Sequence, residues 1–377
     1  MLSLEFKEEN LSKISNPKWI LAYTTIDSFD EKKLNLLRTK FPNVDIFGCT
    51  SFKGVFTSEG FKKGCFLLVG EEKDNIVVST SIKECKRTNA KNVGMKAAIE
   101  IKNALGKLPD TVLFHPTPGF EEKMLEGINK VFEYKVPIYG GSAADNDISG
   151  KWFIFNQDKI INEGFVLIGF STKNKNYGAF LSGYLPTSSK GIVTKVSDRT
   201  VFEIDNKPAV EVYNKWADNV IFNKMISGGF ILSDTTLKPI GKIISTDYNI
   251  PQYLISHPYN LLPNRKGISF FTDFSVGDEV NLMFGSKFAL LKRVEQTLLK
   301  ALGTNKKDKL TGGILIYCAG CVGVIEEQVS EVSKSFVKTV GNIPFIGAAT
   351  FGEQGCLPGT KEFNLHGNLM CCSILFD

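Results

Sequence analysis

The sequence predicts an α+β protein of two domains, with mostly antiparallel sheets flanked by helices; an αββα sandwich is one arrangement that fits. Successive strands are joined by short glycine-containing connections, which favours antiparallel pairing over a doubly wound parallel sheet. One phrase, in which apolar residues lead into a glycine and small residues, occurs at 44–51 (VDIFGCTS), 136–145 (VPIYGGSAAD) and 343–353 (IPFIGAATFGE). The recurrence predicts internal repeat units.

The first unit begins with a strand at Ile20–Thr25. Ser28 and Glu31 fit a capping box, and apolar residues at helical spacing then predict a helix. A second strand, Val44–Cys49, runs into the first copy of the glycine phrase. The later elements are predicted as strands at Gly64–Gly70 and Asn75–Ile82 and a helix at Ala90–Leu105.

The same order returns twice: strand, amphipathic helix, strand ending in the key glycine, glycine-rich connection and closing apolar strand. The second copy contains Thr111–His115, a helix at Glu121–Tyr134, the strand around Gly140 and the strand Gly164–Phe170. The third copy contains Gly313–Tyr317, a helical stripe from Val322 to Phe336, the strand around Gly347 and the strand Asn368–Phe376. We therefore expect Gly140 and Gly347 at related places.

The region between the second and third copies has a different pattern. It contains a predicted hairpin at Gly191–Asp205, a helix at Pro208–Trp216, a hairpin around Ser275–Asp278 and a long helix at Phe288–Leu302. The domains are therefore predicted as 1–204 and 205–377, with the boundary lying between about 171 and 208.

The bulk composition excludes several classes of protein. The net charge of +5 is the excess of 45 basic residues (40 Lys and 5 Arg) over 40 acidic ones. The basic residues are spread along the chain, without the clustered basic face that nucleic-acid binding uses. No apolar run reaches the roughly 18–20 residues that span a bilayer, and no apolar signal core is present near the start. The eight cysteines lack the spacing of a disulfide scaffold. We expect a cytoplasmic protein with reduced thiols, no nucleic-acid partner and no membrane insertion.

Catalytic motifs are also missing, since neither a phosphate-binding glycine loop nor a nucleophile elbow occurs. We therefore expect a non-enzymatic protein. Cys318-x-x-Cys321 stands after a strand, at the start of a predicted helix, where the helix dipole lowers a thiol pKa. A thiol redox protein using these two residues is one alternative. A zinc site completed by Cys356, His366 and one of Cys371 and Cys372 is another; these two cysteines point to opposite faces of a strand, so at most one of them would join.

A haem cofactor is a further alternative to the main prediction of no cofactor. A single histidine among aromatic residues can ligate haem iron. His115 follows Phe114, and His257 lies between Tyr253 and Tyr259. Aromatic residues beside a histidine more often belong to the hydrophobic core, and a strand-end side chain hydrogen-bonded to a turn is the structural interpretation of His115.

Several short segments of the sequence match the sequence pattern of a known family. In the C-terminal third they are GILIYCAG, a helix with Glu326 and Glu327, and IPFIGAATFGEQG. In the N-terminal half they are IFGCTS, VPIYGGSAAD and EGFVLIGF, and the segment 193–216 has the pattern of a domain junction. Together these resemble the FIST N and FIST C sensory domains. The matching FIST C positions are Cys318, Gly320, Gly347, Gly352 and Glu353.

The chain departs from the family pattern at two places. Cys321 stands where the family usually has an arginine, and Gln354 stands where it usually has an aliphatic residue. If that arginine normally holds an acidic group of a ligand, this chain binds something else or nothing at that point.

The resemblance implies an intracellular sensory module that binds a small ligand, an amino acid being the usual suggestion. Some members are described as haem-based nitric oxide sensors. Because the two modules fill the chain, we expect the signal to pass in trans to a partner such as a kinase or a receptor. The ligand, the partner and the oligomeric state stay open.

We expect the ligand beside the glycines at the strand ends, where backbone N–H groups can be approached closely. Asp145 and Glu353 are the charged groups best placed there to meet a ligand amine, and capping a turn at the sheet edge is the alternative role for each of them. The candidate ligand-binding residues are Gly140, Gly141, Ser142, Asp145, Cys318, Gly320, Cys321, Thr350, Gly352 and Glu353.

Overall fold

The computed structural model describes residues 1–247, 250–305, 307–357 and 363–377. It confirms the predicted α+β class, with mixed and antiparallel sheets flanked by helices. The helices are α1 (Glu31–Lys40), α2 (Ala90–Leu105), α3 (Glu121–Val131), α4 (Ala209–Trp216), α5 (Leu232–Thr235), α6 (Lys287–Leu302), α7 (Ala319–Val324) and α8 (Ser330–Val340). No helix among these residues combines the length and the apolar character that a membrane crossing requires.

The strands are numbered in chain order. The first thirteen are β1 (Leu2–Glu5), β2 (Pro17–Thr25), β3 (Asp45–Ser51), β4 (Val55–Thr57), β5 (Gly60–Lys62), β6 (Cys65–Glu71), β7 (Ile76–Glu84), β8 (Thr111–Pro116), β9 (Ile138–Gly141), β10 (Ile154–Phe155), β11 (Ile160–Ile161), β12 (Gly164–Thr172) and β13 (Asn176–Leu181). The others are β14 (Leu185–Ser197), β15 (Thr200–Ile204), β16 (Lys207–Pro208), β17 (Gly229–Phe230), β18 (Ile240–Asp247), β19 (Ile250–Ser256), β20 (Pro258–Leu261), β21 (Ile268–Phe270), β22 (Glu279–Phe284), β23 (Gly312–Cys318), β24 (Phe345–Thr350), β25 (Glu353–Cys356), β26 (Asn364–Gly367) and β27 (Cys371–Phe376).

Three six-stranded sheets share one plan. Their orders are β1-β6-β2-β3-β10-β11, β7-β12-β8-β9-β25-β26 and β13-β27-β23-β24-β4-β5. In each sheet the third and fourth strands are parallel, and the other pairings are antiparallel. The parallel pairs are connected through α1, through α3 and through α7 with α8, as a crossover requires. The predicted repeat units are therefore confirmed.

The key glycines occupy equivalent positions in the three parallel pairs. Gly48 lies beside Ala22, Gly140 beside Phe114, and Gly347 beside Leu315. A Cβ atom on Gly48 or Gly140 would lie 1.8 Å from the carbonyl oxygen of the neighbouring strand, and one on Gly347 would lie 2.9 Å from it. The glycine therefore recurs because the two strands approach too closely for any side chain.

The hairpin that follows each parallel pair joins the sheet of another unit. The β4–β5 hairpin follows β3 but pairs with β24, the β10–β11 hairpin follows β9 but pairs with β3, and the β25–β26 hairpin follows β24 but pairs with β9. This cyclic exchange ties the three units into one body.

Backbone hydrogen bonds close the same cycle where the three parallel pairs end. Phe52 N–H donates to Ala349 O (2.9 Å), Ala144 N–H to Thr50 O (3.0 Å), and Phe351 N–H to Ser142 O (3.0 Å). We call this arrangement the ring of strand ends.

The inner faces of the three sheets share one hydrophobic core. Trp19 of β2, Phe170 of β12 and Phe376 of β27 meet there, with ring centroids 5.2–6.1 Å apart. Aromatic side chains bury large apolar areas, so contacts of this kind hold the sheets against each other. On the outer face of the second sheet, α2 and α3 cover a second cluster that includes Ile101 and Met124.

Residues 185–284 form an inserted module between β13 and α6. Its sheet has the order β17-β20-β21-β15-β14-β22-β18-β19, and β16 pairs with β15. The module has a hydrophobic core of its own that includes Val210, Tyr213 and Phe270. The predicted domain boundary at 204/205 falls in the turn between β15 and β16 and stays a prediction.

Three local predictions are wrong. Ser28 does not cap α1, because residues 26–28 form a separate 3₁₀ turn and Asp30 accepts the hydrogen bond from Lys32 N–H instead. The single helix expected from Val322 to Phe336 is divided into α7 and α8. The turn at Ser275–Asp278 exists, but it does not close a hairpin, since β15 and β14 lie between β21 and β22.

Candidate functional site

A cavity of about 690 Å³ lies where the ring of strand ends meets the inserted module. The ring side contributes Phe52, Ile148, Thr350 and Phe351. The start of α7 contributes Cys318, Gly320 and Gly323. The inserted module contributes Leu232, Thr236, His257 and Phe271. The wall is therefore built by both halves of the chain, and it is rich in apolar and aromatic side chains, as small-molecule sites commonly are.

Four of the predicted site residues lie on the cavity wall: Cys318, Gly320, Thr350 and Gly352. Cys318 and Thr350 are the last residues of the parallel strands β23 and β24, whose carboxyl ends open toward the cavity. Gly352 has a φ of +120°, and a Cβ atom there would lie 2.6 Å from the His366 ring. Glycine is required at this position by both backbone conformation and space.

Three other predicted residues lie behind the wall and have structural partners. A Cβ atom on Gly140 would lie 1.8 Å from the carbonyl oxygen of Phe114, and one on Gly141 would lie 2.5 Å from Thr350 Oγ1. Ser142 Oγ donates a 2.8 Å hydrogen bond to Glu121. The structure therefore gives these residues packing and hydrogen-bonding roles beside the cavity.

Asp145 shapes a loop that does reach the cavity. Its carboxylate accepts hydrogen bonds from Ile148 N–H (2.6 Å) and Lys151 N–H (2.9 Å). Ile148, Asn146 and Asp147 also line the wall, although none of them was predicted as a site residue. The polar residues that follow VPIYGGSAAD are the sequence signal from which they could have been predicted.

Glu353 is fully buried, and both its oxygens have partners. Oε1 accepts a hydrogen bond from Thr350 Oγ1 (2.8 Å) and Oε2 accepts one from Met370 N–H (2.9 Å). Burial raises the pKa of the Glu353 carboxyl to about 8. The predicted contact with a ligand amine stays untested, and in the structure Glu353 reaches the cavity through Thr350.

Cys321 belongs to a buried polar cluster beneath the cavity wall. Tyr184 Oη lies 3.7 Å from its sulfur and donates a 2.8 Å hydrogen bond to Thr236 O. The Arg293 guanidinium of α6 stacks on the Tyr317 ring, 4.1 Å from the ring centroid. An arginine therefore does act on the 318–321 motif, but it comes from another helix, and no sequence spacing pointed to it.

The electrostatics of this cluster favour a thiolate. Burial alone would raise the pKa of Cys321, but the hydrogen bond from Cys318, the charge of Arg293 and the Tyr184 hydroxyl lower it to about 6. The predicted cause was the dipole of the following helix. Since α7 has only six residues, we assign the effect to these side chains instead.

The two histidines of the haem alternative have different surroundings. His115 is buried at the junction of the sheets, with Nε2 2.9 Å from Tyr23 Oη and Nδ1 2.8 Å from Gly141 O. Burial lowers its pKa to about 4, and an iron ligand there would break one of the two bonds. His257 lies on the cavity wall, where Nε2 is 3.1 Å from both Leu232 O and Thr235 Oγ1.

The residues considered for zinc do not gather around one point. Among the described residues, the one group of three potential metal ligands is Glu121, Glu122 and His366, without a cysteine. Arg199 already binds Glu121 (2.8 Å) and Glu122 (2.5 Å), and Nδ1 of His366 lies 2.9 Å from Gln354 Nε2. This cluster is therefore an ion-pair network, which holds the inserted module against α3.

Comparison with known proteins gives the class of the chain. The FIST N domain profile matches residues 18–207 and the FIST C domain profile matches residues 209–356. The chain therefore belongs to the FIST family, whose domains are sensory, ligand-binding domains of signal-transduction proteins.

Individual relatives add little about activity. An uncharacterized protein of Methanocaldococcus jannaschii is 26% identical over 418 residues, covering 99% of this chain and 76% of that protein. A cyanuric acid hydrolase from A. caulinodans aligns over 97% of this chain and 92% of its own, with 9% identity and a TM-score of 0.37. Phosphoribosylformylglycinamidine synthase II from Thermotoga maritima aligns over 80% and 72%, with 9% identity and a TM-score of 0.21. Likeness at this level carries no argument about function.

Proposed function

We propose that this chain is a non-catalytic, cytoplasmic sensory protein that binds a small ligand in the 690 Å³ cavity and signals in trans to a partner protein. The observation that supports the proposal is that both halves of the chain contribute residues to the cavity wall. The predicted site residues Cys318, Gly320, Thr350 and Gly352 face residues of the inserted module across one cavity. A ligand that touches both sides changes how the module packs against the ring of strand ends.

The wall chemistry fits an amino acid with an apolar side chain. Phe52, Phe271 and Phe351 supply aromatic surface, which gains free energy when apolar area is buried. Asp147 supplies a carboxylate on the same wall, to which a ligand ammonium group can bind, whereas the carboxylate of Asp234 is already paired with Lys224 (2.8 Å). The hydroxyl of Thr350 can donate to a ligand carboxylate only when it releases Glu353, its present hydrogen-bond acceptor.

The transmission step follows from the connections of the wall. Ligand contact at Leu232 or Thr236 acts on α5 and the following residue, which belong to the inserted module. The Arg199 network fixes the same module to α3 at a second place. A ligand with unequal affinity for two packings of the module shifts their populations, and a partner protein that contacts the module detects the shift.

A thermal-shift screen with amino acids, small metabolites and haemin tests the proposal. A ligand at about 100 times its Kd should stabilise the protein by about 2.7 kcal/mol. A Cβ atom on Gly323 would point into open space on the wall, so Gly323→Leu fills the cavity without a backbone clash. Gln328→Leu, at an exposed position beyond α7, is the matched control.

We expect the ligand shift to disappear in Gly323→Leu and to persist in Gln328→Leu. The proposal fails if no compound shifts the wild-type protein, or if a shift persists unchanged in Gly323→Leu. A Soret band that is lost in His257→Ala would instead favour the haem alternative, because His257 is the haem candidate on the wall.

A further inference from the structure

Arg293 is a buried cation that has no carboxylate partner among the residues that the structure describes. Its side chain is 0% exposed, and Nη1 donates to Ser182 O (3.1 Å) and Leu369 O (2.6 Å). In the part of the chain that the structure describes, Nε and Nη2 have no hydrogen-bond partner. Arginine keeps its charge in proteins, and an uncompensated buried charge is very costly. A nearby anion would therefore offset the cost of burying the Arg293 charge.

Cys321 is the group that can supply the anion. Of the ionisable groups around Arg293, it exerts the largest electrostatic effect. Glu353 is the second acid near the same cation, and burial raises its pKa to about 8 while that of Cys321 is lowered to about 6. Near neutral pH the proton stays on Glu353 and the negative charge stays on Cys321.

Cys318 connects this thiolate to the cavity. It is 5% exposed and lies on the cavity wall, whereas Cys321 is 0% exposed behind it. Cys318 is the last residue of β23 and the N-cap of α7, and Cys321 is the third residue of that helix. An N-cap side chain reaches the third helical position, so the Cys318 thiol can pass its proton to the Cys321 thiolate and the two sulfurs can come within disulfide range.

We propose that Cys318 and Cys321 form a peroxide-reactive dithiol, whose oxidant is a hydroperoxide that enters the cavity. This inference does not depend on the identity of the sensory ligand.

The first step oxidises Cys318. Its sulfur attacks the terminal oxygen of the hydroperoxide, the O–O bond breaks, and the thiol proton passes to the Cys321 thiolate. The alkoxide leaving group takes this proton from Cys321 and departs as an alcohol, or as water when the oxidant is hydrogen peroxide. The products are a sulfenic acid on Cys318 and the restored thiolate on Cys321.

The second step forms the disulfide. The Cys321 thiolate attacks the Cys318 sulfur, the S–O bond breaks, and the departing hydroxide takes up one proton to become water. In total, two thiol sulfurs lose two electrons, and one peroxide is reduced to an alcohol and a water molecule. Once Cys321 is neutral, Glu353 is the remaining acid beside Arg293. Its partner Thr350 lines the cavity, so oxidation changes the charge directly behind the ligand wall.

The test uses the full chain in its reduced form. The protein is treated with one equivalent of cumene hydroperoxide or hydrogen peroxide, denatured, alkylated and digested with trypsin. We expect the peptide Leu310–Lys334 to lose two hydrogen atoms and to escape alkylation. Cys65 is an internal control, since it is more exposed than Cys318 and should stay reduced.

Two isosteric variants separate the roles. In Cys321→Ser we expect oxidation of Cys318 to slow at least tenfold, since no thiolate accepts its proton. In Cys318→Ser we expect Cys321 to stay reduced, since no thiol faces the cavity. The inference is overturned if both cysteines of the wild-type peptide are alkylated after treatment, if Cys65 is oxidised first, or if Cys321→Ser reacts at the wild-type rate.

Discussion

The hydroxyl of Thr350 donates a 2.8 Å hydrogen bond to Oε1 of Glu353, so a side chain of the cavity wall is joined directly to a fully buried carboxyl. Beneath it lie Arg293 and Cys321, whose charges act on the same carboxyl. A small charged cluster therefore lies directly behind the cavity wall. A change of protonation or oxidation at one of its groups alters the pKa values of the others.

Glu353→Gln should change the pH dependence of stability. Burial raises the Glu353 pKa from 4.5 to about 8, so between these values the folded state binds more protons than the unfolded state. The wild-type protein should therefore lose stability, relative to the variant, as pH rises through this window. Since each pKa unit corresponds to about 1.4 kcal/mol, the difference should reach a few kcal/mol. Urea denaturation at a series of pH values measures it.

The exposed Glu327→Gln is the control for this experiment, and its stability should follow the wild-type curve at every pH. Parallel curves for Glu353→Gln and the wild-type protein would show that the carboxyl does not titrate abnormally.

Removal of the Arg293 charge should raise the pKa of Cys321. The value of about 6 depends on hydrogen bonding from Cys318 and on the Arg293 charge acting against burial. In Arg293→Met, the opposing effect of burial should weigh more, and the titration of Cys321 should move to higher pH. The ultraviolet absorbance of the thiolate as a function of pH, with Cys321→Ser as the blank, measures the change.

Arg293→Lys keeps a positive charge at this position and should retain a low Cys321 pKa. If Cys321 titrates at the same pH in Arg293→Met as in the wild-type protein, the guanidinium charge is not what lowers the Cys321 pKa.

Arg199→Met should destabilise the attachment of the inserted module. Arg199 binds Glu121 and Glu122 of α3 and also Asp273 (3.1 Å), and the Glu121 side chain is only 1% exposed. Breaking a buried ion pair on one side costs about 3–5 kcal/mol. Arg265→Met breaks the exposed pair with Glu211 and should cost about 0–1 kcal/mol. Denaturant unfolding of the two variants gives the comparison.

The ion pairs of Arg199 should also determine part of the loss of folding stability at acidic pH. Burial opposes ionisation of Glu121, but the charges of His366 and Arg199 lower its pKa to about 2. The stability that this carboxylate contributes is present above its unfolded pKa of 4.5 and is lost as pH falls toward 2. Arg199→Met should show a smaller loss over this range. An equal loss in both proteins would contradict the assignment.

The key glycines should tolerate alanine in proportion to the space beside them. A Cβ atom on Gly140 meets a carbonyl oxygen at 1.8 Å, and one on Gly347 meets its neighbours at 2.9 Å. Gly140→Ala should therefore cost more than the ~1–3 kcal/mol typical of overpacking, and Gly347→Ala should cost less than Gly140→Ala. Gly323→Ala is the control, because open space surrounds that position; it should be neutral or stabilising by up to about 1 kcal/mol. Equal midpoints of urea unfolding for all three would refute the steric argument.

Sequence patterns predicted the helices and strands well where neighbouring residues alone determine the structure. Helix α2 begins and ends at the predicted residues, and the three glycine phrases occupy equivalent strands. The site was predicted in part for a related reason. Cys318 and Thr350 end adjacent parallel strands, and the carboxyl ends of such strands lie at one edge of a sheet. Their place on the cavity wall follows from that rule.

Apart from Asn146, Asp147 and Ile148, the remaining wall and cluster residues had no local sequence signal. Arg293 lies 28 positions before Cys321 in the chain, and Tyr184 and His257 come from other elements of the fold. Their positions are ordinary for a helix or strand, so no spacing distinguished them from core or surface residues. Asp145 was selected for its charge, but its partners are backbone groups of its own loop.

The sequence by itself determined the repeated strand–helix–strand unit and its glycine, because hydrophobic periodicity and steric exclusion act over a few neighbouring residues and one adjacent strand. The tertiary structure alone decided that each hairpin pairs with another unit's sheet and that Arg293 lies beside Cys321. Pairing between units and interaction between charges depend on distances in space, which the order of residues along the chain does not encode locally.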